Sequence, residues 1–242
     1  MADYNLFKFR AINKHLLSAL VKGELYFARP SCLNDPFDCR VDLVTVLENA
    51  ISVAQQPARG NLEKLRAMHA FLAKVQADLA NMGVCSFSLE QINSLMWAHY
   101  ADNHRGVCLL YSFPESFFHD RAARILGVDA VDYRPNSIRN LLLEWAPHPG
   151  TFEGFGIPLI KKALTAKAGP WKYENEVRIL RTTHGAEMIE KNCLKQVCFG
   201  LETPDGEIAL VTELLKCCGH NAALCKMVRS NQSDFGIEAT TM

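Results

Sequence analysis

Short apolar strand patterns and amphipathic helical patterns follow one another irregularly along this chain of 242 residues. A parallel sheet needs a regular alternation of strands and helices, which this chain does not have. The strand patterns lie at residues 6–9, 25–28, 84–88, 107–111, 125–133, 176–181, 196–199 and 224–228. The sequence therefore predicts an α+β fold with a mostly antiparallel sheet.

Helical spacing is present at residues 12–22, 91–101, 158–168 and 205–218, and through much of 41–80. In the last stretch one apolar stripe comprises Leu62, Leu65, Met68, His69, Leu72, Val75 and Leu79. Its position on that stripe predicts that His69 packs in the core rather than binding a ligand. Because there is no repeat, low-complexity tract or linker, we expect a single α+β domain over 1–242 with a helical insertion at about 41–81.

Charge and hydropathy exclude several classes of protein. Lys and Arg number 26 and Asp and Glu number 26, so the formal net charge is zero and an extended basic face for nucleic acid is not expected. No apolar run approaches the roughly 20 residues that span a bilayer, so no membrane association is expected. The first residues lack the basic and apolar regions of a signal peptide, which predicts a cytoplasmic protein.

The sequence contains none of the common phosphate-binding, zinc-protease or serine-hydrolase motifs. The glycines at 150, 154 and 156 lack the spacing of a dinucleotide-binding turn and follow no strand. Nine cysteines are scattered without a C-x-x-C pair. They are interpreted as reduced, mostly buried thiols, and no metal site is predicted.

Three clusters of uncommon residues stand out. They are Asn34-Asp35-Pro36-Phe37-Asp38; Leu95-Met96-Trp97-Ala98-His99-Tyr100-Ala101-Asp102, preceded by Cys85-Ser86-Phe87-Ser88; and Trp171-Lys172-Tyr173-Glu174-Asn175-Glu176-Val177-Arg178. With the opening Leu6-Phe7-Lys8-Phe9-Arg10, they resemble a bacterial family catalogued as domain of unknown function 2971. The chain departs from that pattern at Phe9, where tyrosine is usual, and at Val177, where tryptophan is common. This resemblance implies a bacterial origin but no particular reaction.

Glu174 and Glu176 are two residues apart, so on an extended segment both carboxylates face the same side. Two carboxylates that close disfavour simultaneous ionisation and raise one pKa, as catalytic pairs do. Ser86 and Ser88 have the same spacing on a predicted strand, and Arg10 follows the first strand.

This order of arginine, serine-x-serine and glutamate-x-glutamate is similar to the arginine–serine–glutamate class of ADP-ribosyltransferases. That likeness implies a split antiparallel α+β fold that uses NAD as a substrate without a Rossmann motif. It implies that Arg10 holds the NAD phosphates, that Ser86 and Ser88 orient Glu176, and that Glu174 activates the acceptor. Glu176 would bind the nicotinamide ribose and stabilise the positive charge that develops as nicotinamide leaves.

The other candidate NAD contacts come from the aromatic and Asn-Asp clusters. Trp97, His99 and Tyr100 are candidates to pack against nicotinamide or adenine, and Asn34 and Asp35 are further candidates for cofactor binding. On this hypothesis the acceptor is a macromolecule, protein or nucleic acid, and the protein is a bacterial toxin or a phage-defence effector.

Two other functions are compatible with the same residues. One is a metal-dependent nuclease in which Asp35, Asp38, Glu174 and Glu176 bind Mg²⁺ beside Lys172. The other is a non-catalytic module that binds a nucleotide or peptide in an aromatic cleft. The purely structural alternatives are a surface ion pair between Glu176 and Arg178, an ion pair of Arg10 with Asp35 or Asp38 that pins a loop, and a core role for Met96, Trp97 and Tyr100.

Overall fold

The computed structural model describes residues 3–242. The strands in this range are β1 (Tyr4–Arg10), β2 (Glu24–Phe27), β3 (Gly83–Ser88), β4 (Val107–Phe113), β5 (Ile125–Ala130), β6 (Glu176–Arg181), β7 (Gly185–Met188), β8 (Leu194–Phe199), β9 (Ala223–Arg229) and β10 (Ile237–Thr241). The α-helices are α1 (Lys14–Lys22), α2 (Leu43–Val53), α3 (Ala58–Ala67), α4 (His69–Asn81), α5 (Ser94–Tyr100), α6 (Glu115–His119), α7 (Ser137–Trp145), α8 (Phe152–Thr165) and α9 (Asp205–Cys217). Short 3-10 helices occupy Pro30–Cys32, Gly169–Glu174 and Lys191–Cys193.

Eight strands form one sheet in the order β10-β9-β8-β4-β1-β3-β6-β5. Every neighbouring pair in this sheet is antiparallel except β8 and β9, which are parallel. Strands β2 and β7 form a separate antiparallel pair. The predicted α+β class with a mostly antiparallel sheet is therefore confirmed.

The large sheet is weakly joined between β1 and β3. Phe7 and Ser88 are the only residues in 3–242 at which these two strands pair. Farther along β3, Val84 exchanges backbone hydrogen bonds of 2.8 Å with Ala28, which follows β2. Because Ala28 occupies the edge of β3 at that point, β1 diverges from β3 and a cleft opens between them.

Helices α2, α3 and α4 lie in the stretch where helical spacing predicted them. Their buried side chains pack with those of α7 and α8 and with Val84 and Leu180 of the sheet to form a hydrophobic core of their own. A second core lies on the other side of the sheet, where α1 and α9 cover strands β1, β4 and β8. The split between β1 and β3 thus lies beside the helical layer.

Local sequence signals explain where several helices begin and end. The Asn13 side chain accepts hydrogen bonds from the backbone N–H groups of His15 and Leu16, which caps α1. Gly23 ends the same helix at φ 65°, a conformation that glycine adopts without steric cost. Helix α8 begins at Phe152, earlier than predicted, because Thr151 caps the Gly154 N–H and Pro158 is accommodated inside the helix.

The interpretation of His69 as a core residue is wrong. The apolar stripe is divided between two helices because α3 ends at Ala67 and α4 begins at His69. Leu65 and Leu72 keep their buried positions, but the break at Met68 turns His69 to the solvent. The prediction treated residues 62–79 as one continuous helix, and the apolar spacing gives no sign of the break between α3 and α4.

Helices α6 and α7 and strands β7 and β10 were not predicted. Strand β7 is four residues long and β10 has no buried residue, so neither carries the apolar alternation that marks a strand. None of the helices between residues 3 and 242 has the length and apolarity to cross a bilayer.

Candidate functional site

The split between β1 and β3 holds a cleft of about 220 Å³. Strand β1 forms one wall with residues 7–10, and β3 forms the facing wall with Val84 and residues 86–88. Asn34, Tyr100, Glu174, Glu176, Asp38 and Lys167 close the remaining side. The cleft thus receives side chains from segments far apart in the sequence.

Most of the predicted site residues line this one cleft. They are Arg10, Asn34, Ser86, Ser88, Tyr100, Glu174 and Glu176. The register of the sheet accounts for part of this convergence, because Ser86 pairs with Arg178 and Ser88 pairs with Glu176 across β3 and β6. The serine pair and Glu176 are therefore neighbours on adjacent strands.

Three predicted cofactor-binding residues do not line the cleft. Trp97 is fully buried, packs edge-on against Phe9 and donates its indole N–H to the Gln91 carbonyl, so it is a core residue. His99 is exposed, with its ring 5.9 Å from that of Tyr173. Asp35 lines a different cavity, and its carboxylate accepts the Phe37 N–H at 2.9 Å.

Glu174 and Glu176 meet at Lys167, although they do not lie on one extended segment. Glu174 ends a 3-10 helix, Asn175 adopts φ 42°, and Glu176 begins β6. The left-handed turn at Asn175 reorients the chain between them. Lys167 donates to a carboxylate oxygen of Glu174 and, at 3.0 Å, to Oε2 of Glu176. The prediction of an extended segment is wrong, and the convergence of the two carboxylates has a different cause.

Arg178 holds the other side of Glu176. Its Nε and Nη2 donate to the two Glu176 carboxylate oxygens at 2.7 and 2.9 Å. Its Nη1 and Nη2 donate to the two Asp38 oxygens at 2.8 and 2.6 Å. Because Arg178 is fully buried, this is a buried, doubly bidentate ion pair and not the surface pair considered from the sequence.

The two glutamates have opposite pKa shifts. Burial alone would raise the pKa of the Glu176 carboxyl, but the charges of Arg178 and Lys167 outweigh burial and lower this pKa to about 2. Burial raises the pKa of Glu174 even though hydrogen bonds from Lys167 and Tyr100 favour its ionised form. Glu176 is therefore a fixed anion at neutral pH, and Glu174 is the member of the pair that takes up a proton more readily.

Tyr100 connects Glu174 to the loop before α2. Its hydroxyl donates to Glu174 Oε1 at 2.5 Å and accepts a hydrogen bond from Asn34 Nδ2 at 3.2 Å. Burial and the Glu174 charge raise the pKa of Tyr100 well above its usual range, so its hydroxyl stays protonated and remains a donor. Asn34, Tyr100 and Glu174 thus form one chain of hydrogen bonds along the cleft.

The serine pair divides its roles. The Ser88 hydroxyl donates to the backbone carbonyl of Glu174 at 2.8 Å and accepts the Glu90 N–H at 3.1 Å, so it anchors the backbone that carries Glu174. Ser86 lines the cleft on the strand next to Glu176, and its hydroxyl makes no side-chain hydrogen bond within residues 3–242.

The β1 wall is basic. Lys8 reaches across the split and donates from Nζ to the Ser86 carbonyl at 2.8 Å, while burial lowers its pKa. Arg10 makes no side-chain hydrogen bond or ion pair to any residue in 3–242. Its guanidinium is the cleft cation whose hydrogen-bonding capacity remains available to a ligand.

Sequence reasoning missed Lys167 and Lys8 and gave Arg178 only a surface role. Arg178 ends the third cluster and its alternation with Glu176 was visible, but its burial was not. Lys167 lies just after the end of α8 and outside the three clusters, so no sequence pattern distinguishes it from other lysines. Asp38 belongs to the first cluster and was considered as a metal ligand or as a partner of Arg10, and the structure pairs it with Arg178 instead.

In the nuclease alternative, the carboxylates proposed to bind Mg²⁺ are the ones that form ion pairs with Lys167 and Arg178. Lys167 and Arg178 lie among the carboxylates of Asp38, Glu174 and Glu176, and Asp35 is directed to another cavity. The part of the chain from residue 3 to residue 242 contains no group of three or more His, Cys, Asp or Glu residues arranged to hold a metal ion. Lys172 is exposed and does not line the cleft.

Comparison with known proteins identified one family. The family described as "Protein of unknown function (DUF2971)" matches residues 96–179, which supports the resemblance seen in the sequence clusters. The matched segment contains Tyr100, Lys167, Glu174 and Glu176, and it lacks Arg10 and Ser86. No curated protein and no solved structure matched the chain.

Proposed function

We propose that this protein is an NAD-dependent ADP-ribosyltransferase-like enzyme whose active site is the cleft between β1 and β3. The observation that carries the proposal is that Arg10, Ser86 and Glu176, on three different strands, line one split in the sheet. Their order in the sequence is similar to the arginine–serine–glutamate order of this enzyme class. The predicted split sheet and the predicted site residues thus support the same function.

The charges on the two walls suit the two ends of NAD. Arg10 on the β1 wall has free donors for the pyrophosphate. On the opposite side, the three carboxylates of Asp38, Glu174 and Glu176 face the two cations Lys167 and Arg178, which leaves one net negative charge when all five are ionised. That excess suits the positively charged nicotinamide ring.

The size of the cleft indicates which part of the substrate is enclosed. Its volume of about 220 Å³ is smaller than the ~300–1,000 Å³ typical of sites that enclose a whole drug-sized ligand. The nicotinamide riboside end is the part that fits between the walls. The remainder of NAD then lies outside these walls, with its pyrophosphate at Arg10.

The two glutamates have separable roles in the proposed reaction. The ionised Glu176 stabilises positive charge on the ribose as the bond between C1′ and the nicotinamide nitrogen breaks and neutral nicotinamide leaves. The acceptor nucleophile then forms its bond to C1′ and loses a proton. Glu174, which lies beside Glu176 and has a raised pKa, is placed to receive that proton.

The first experiment measures release of nicotinamide and transfer of label when the protein is incubated with NAD labelled in its adenylate phosphate and with a bacterial lysate. Arg10→Gln is the sharpest variant because the Arg10 side chain has no hydrogen-bond or ion-pair partner among residues 3–242 whose loss would disturb the fold. We expect its KM for NAD to rise by about 10- to 100-fold, the value of one or two charge-assisted hydrogen bonds. Lys172→Gln, at an exposed lysine outside the cleft, is the matched control and should behave as wild type.

Glu176→Gln tests the chemical step. We expect kcat to fall by about 10²–10³-fold with little change in the KM for NAD. Near-ultraviolet circular dichroism establishes that the variant is folded, since Glu176 also contacts Arg178. Wild-type protein that binds NAD without releasing nicotinamide would instead support a binding module, and Mg²⁺-dependent cleavage of nucleic acid without NAD would support the nuclease.

A further inference from the structure

A larger cavity lies beside the cleft, and the proposed reaction does not use it. Its volume is about 530 Å³, and its walls come from α2, the beginning of α7 and the segment after α8. Asp38 and Lys167 line both the cavity and the cleft, so these two side chains separate the two spaces. Helix α2, which lies in the stretch predicted as a helical insertion, forms part of the cavity wall.

The beginning of α7 presents unused hydrogen-bond donors to the cavity. The backbone N–H groups of Ser137, Ile138 and Arg139 bond to no residue in the described part of the chain. Asn136, which precedes the helix, adopts φ 57° and makes no side-chain cap. Three aligned N–H groups at a helix N-terminus favour an anion.

Two side chains independently indicate a ligand at this place. Ser137 is 6% exposed and lines the cavity, yet its hydroxyl has no hydrogen-bond partner between residues 3 and 242. Arg139 is half-buried, and its Nε is buried without a partner. Arg139 Nε is a buried polar atom without a partner in the described residues, and buried polar groups in native proteins are nearly always hydrogen-bonded. Together with the open Ser137 hydroxyl on the cavity wall, it indicates that the donors at this end of α7 serve a bound group.

The remaining walls suit a sugar and a flat apolar ring. Val41, Val46 and Ile138 give the cavity an apolar surface, and the Phe37 ring, 83% exposed, stands at its edge. Asp35 accepts one backbone N–H and makes no ion pair in residues 3–242, and a carboxylate of this kind binds ribose hydroxyls in nucleotide sites. Asp38, the other acid on this wall, is neutralised by Arg178.

We propose that the cavity is a nucleoside phosphate site, with the phosphate on Ser137, Arg139 and the α7 N-terminus, the ribose near Asp35 and the base against Phe37 and the α2 surface. The site is supported by the set of open donors at the beginning of α7, so it does not depend on the proposed reaction. The nucleotide has two possible sources, the adenylate end of an NAD molecule that passes Lys167 or a separate nucleotide that reaches the same cavity.

Isothermal titration calorimetry of the full-length protein with AMP, adenosine and inorganic phosphate tests the site. We expect AMP to bind more tightly than adenosine or phosphate, and we expect Arg139→Gln to weaken AMP binding by roughly tenfold or more. Ser137→Ala, a smaller change, should weaken AMP binding severalfold. Arg229→Gln, at an exposed arginine on β9, is the matched control and should leave AMP affinity unchanged.

Two comparisons distinguish the sources and locate the ligand. If AMP and NAD compete and Arg139→Gln raises the Kd of both, the cavity holds the adenylate end of NAD. If AMP binds equally well in the presence of saturating NAD, the cavity holds a separate nucleotide.

The proposal is overturned by any of three results. The first is that wild type shows no AMP binding. The second is that Arg139→Gln and Ser137→Ala bind AMP as wild type does. The third is that Arg10→Gln abolishes AMP binding while Arg139→Gln leaves it intact. Failure of NAD turnover alone would leave the AMP result unaffected and would count only against the proposed enzyme.

Discussion

Phe7 and Ser88 form the only residue pair that joins β1 to β3 within the described chain, and the candidate active site begins where that pairing ends. Beyond this pair, Ala28 takes the edge of β3, and the Lys8 side chain spans the gap to the Ser86 carbonyl. The cleft is therefore a feature of the backbone of the sheet. Side-chain substitutions within it are expected to alter its chemistry more than its existence.

Replacing Arg178 tests whether the buried ion pair is essential to the fold. Arg178→Met leaves the buried carboxylates of Asp38 and Glu176 without their bidentate partner, so we expect a loss of about 3–5 kcal/mol in the free energy of unfolding. Urea denaturation measures this loss. Arg134→Met is the control, because Arg134 forms an equally well-aligned pair with Asp132 at the surface, where solvent screens the charges, and it should lose far less. Equal losses in the two variants would contradict the prediction.

The pKa shift of Glu176 predicts a dependence of stability on pH. A carboxyl whose pKa is lowered on folding stabilises the native state above its ordinary pKa of 4.5, and that stabilisation is lost as the pH falls toward the native value of about 2. We therefore expect Glu176→Gln to be less stable than wild type at pH 7, and we expect the difference to shrink steadily between pH 4.5 and pH 2.

Urea unfolding of both proteins at several pH values measures that difference. Glu174 acts in the opposite direction, because its raised pKa means that burial of its charge is relieved on acidification. The Glu176 charge contributes to that raised pKa, so the comparison is made below pH 4.5, where the raised pKa keeps Glu174 protonated in the native wild type. Glu202→Gln, at an exposed glutamate, should differ from wild type by a constant small amount. A difference between Glu176→Gln and wild type that stays constant down to pH 2 would show that Glu176 is not stabilised as the structure indicates.

Tyr100 is predicted to set the pH at which Glu174 becomes active. Tyr100→Phe removes the 2.5 Å hydrogen bond that favours the ionised carboxylate, so the pKa of Glu174 should rise further. If Glu174 receives the acceptor proton, the acid limb of the kcat profile should move to higher pH. Tyr173→Phe is the control, because its hydroxyl makes no hydrogen bond within residues 3–242. An unchanged acid limb in Tyr100→Phe would separate this hydrogen bond from catalysis.

Trp97 is predicted to matter for stability and not for NAD binding. Trp97→Ala removes a fully buried ring that packs on Phe9, so the free energy of unfolding should fall by about 3–5 kcal/mol. The smaller change Trp97→Phe should leave the KM for NAD unaltered. His99→Ala, at an exposed position, should change stability by no more than about 0.5 kcal/mol. A large increase in the KM of Trp97→Phe without loss of stability would restore the ligand role expected from the sequence.

Local patterns selected candidate residues of the cleft where unusual residues are concentrated in short clusters. The Asn34 cluster, the serine pair and the two glutamates were recognised because unusual residues are concentrated there. The helix assignments succeeded where an apolar stripe and a cap coincide, as at α1, which begins after Asn13 and ends at Gly23. They failed at His69, because a break between two helices need not disturb the spacing of apolar residues on either side.

The sequence by itself determined the α+β class, the mostly antiparallel sheet and the candidates Arg10, Ser86 and Glu176, because strand alternation and residue type are local properties. Only the tertiary structure decided that Lys167 and Arg178 pair with the carboxylates of the cleft and that Trp97 lies in the core. Contacts such as Arg178 with Asp38 join residues 140 positions apart. They depend on strand pairing and burial, and no pattern within either segment encodes them.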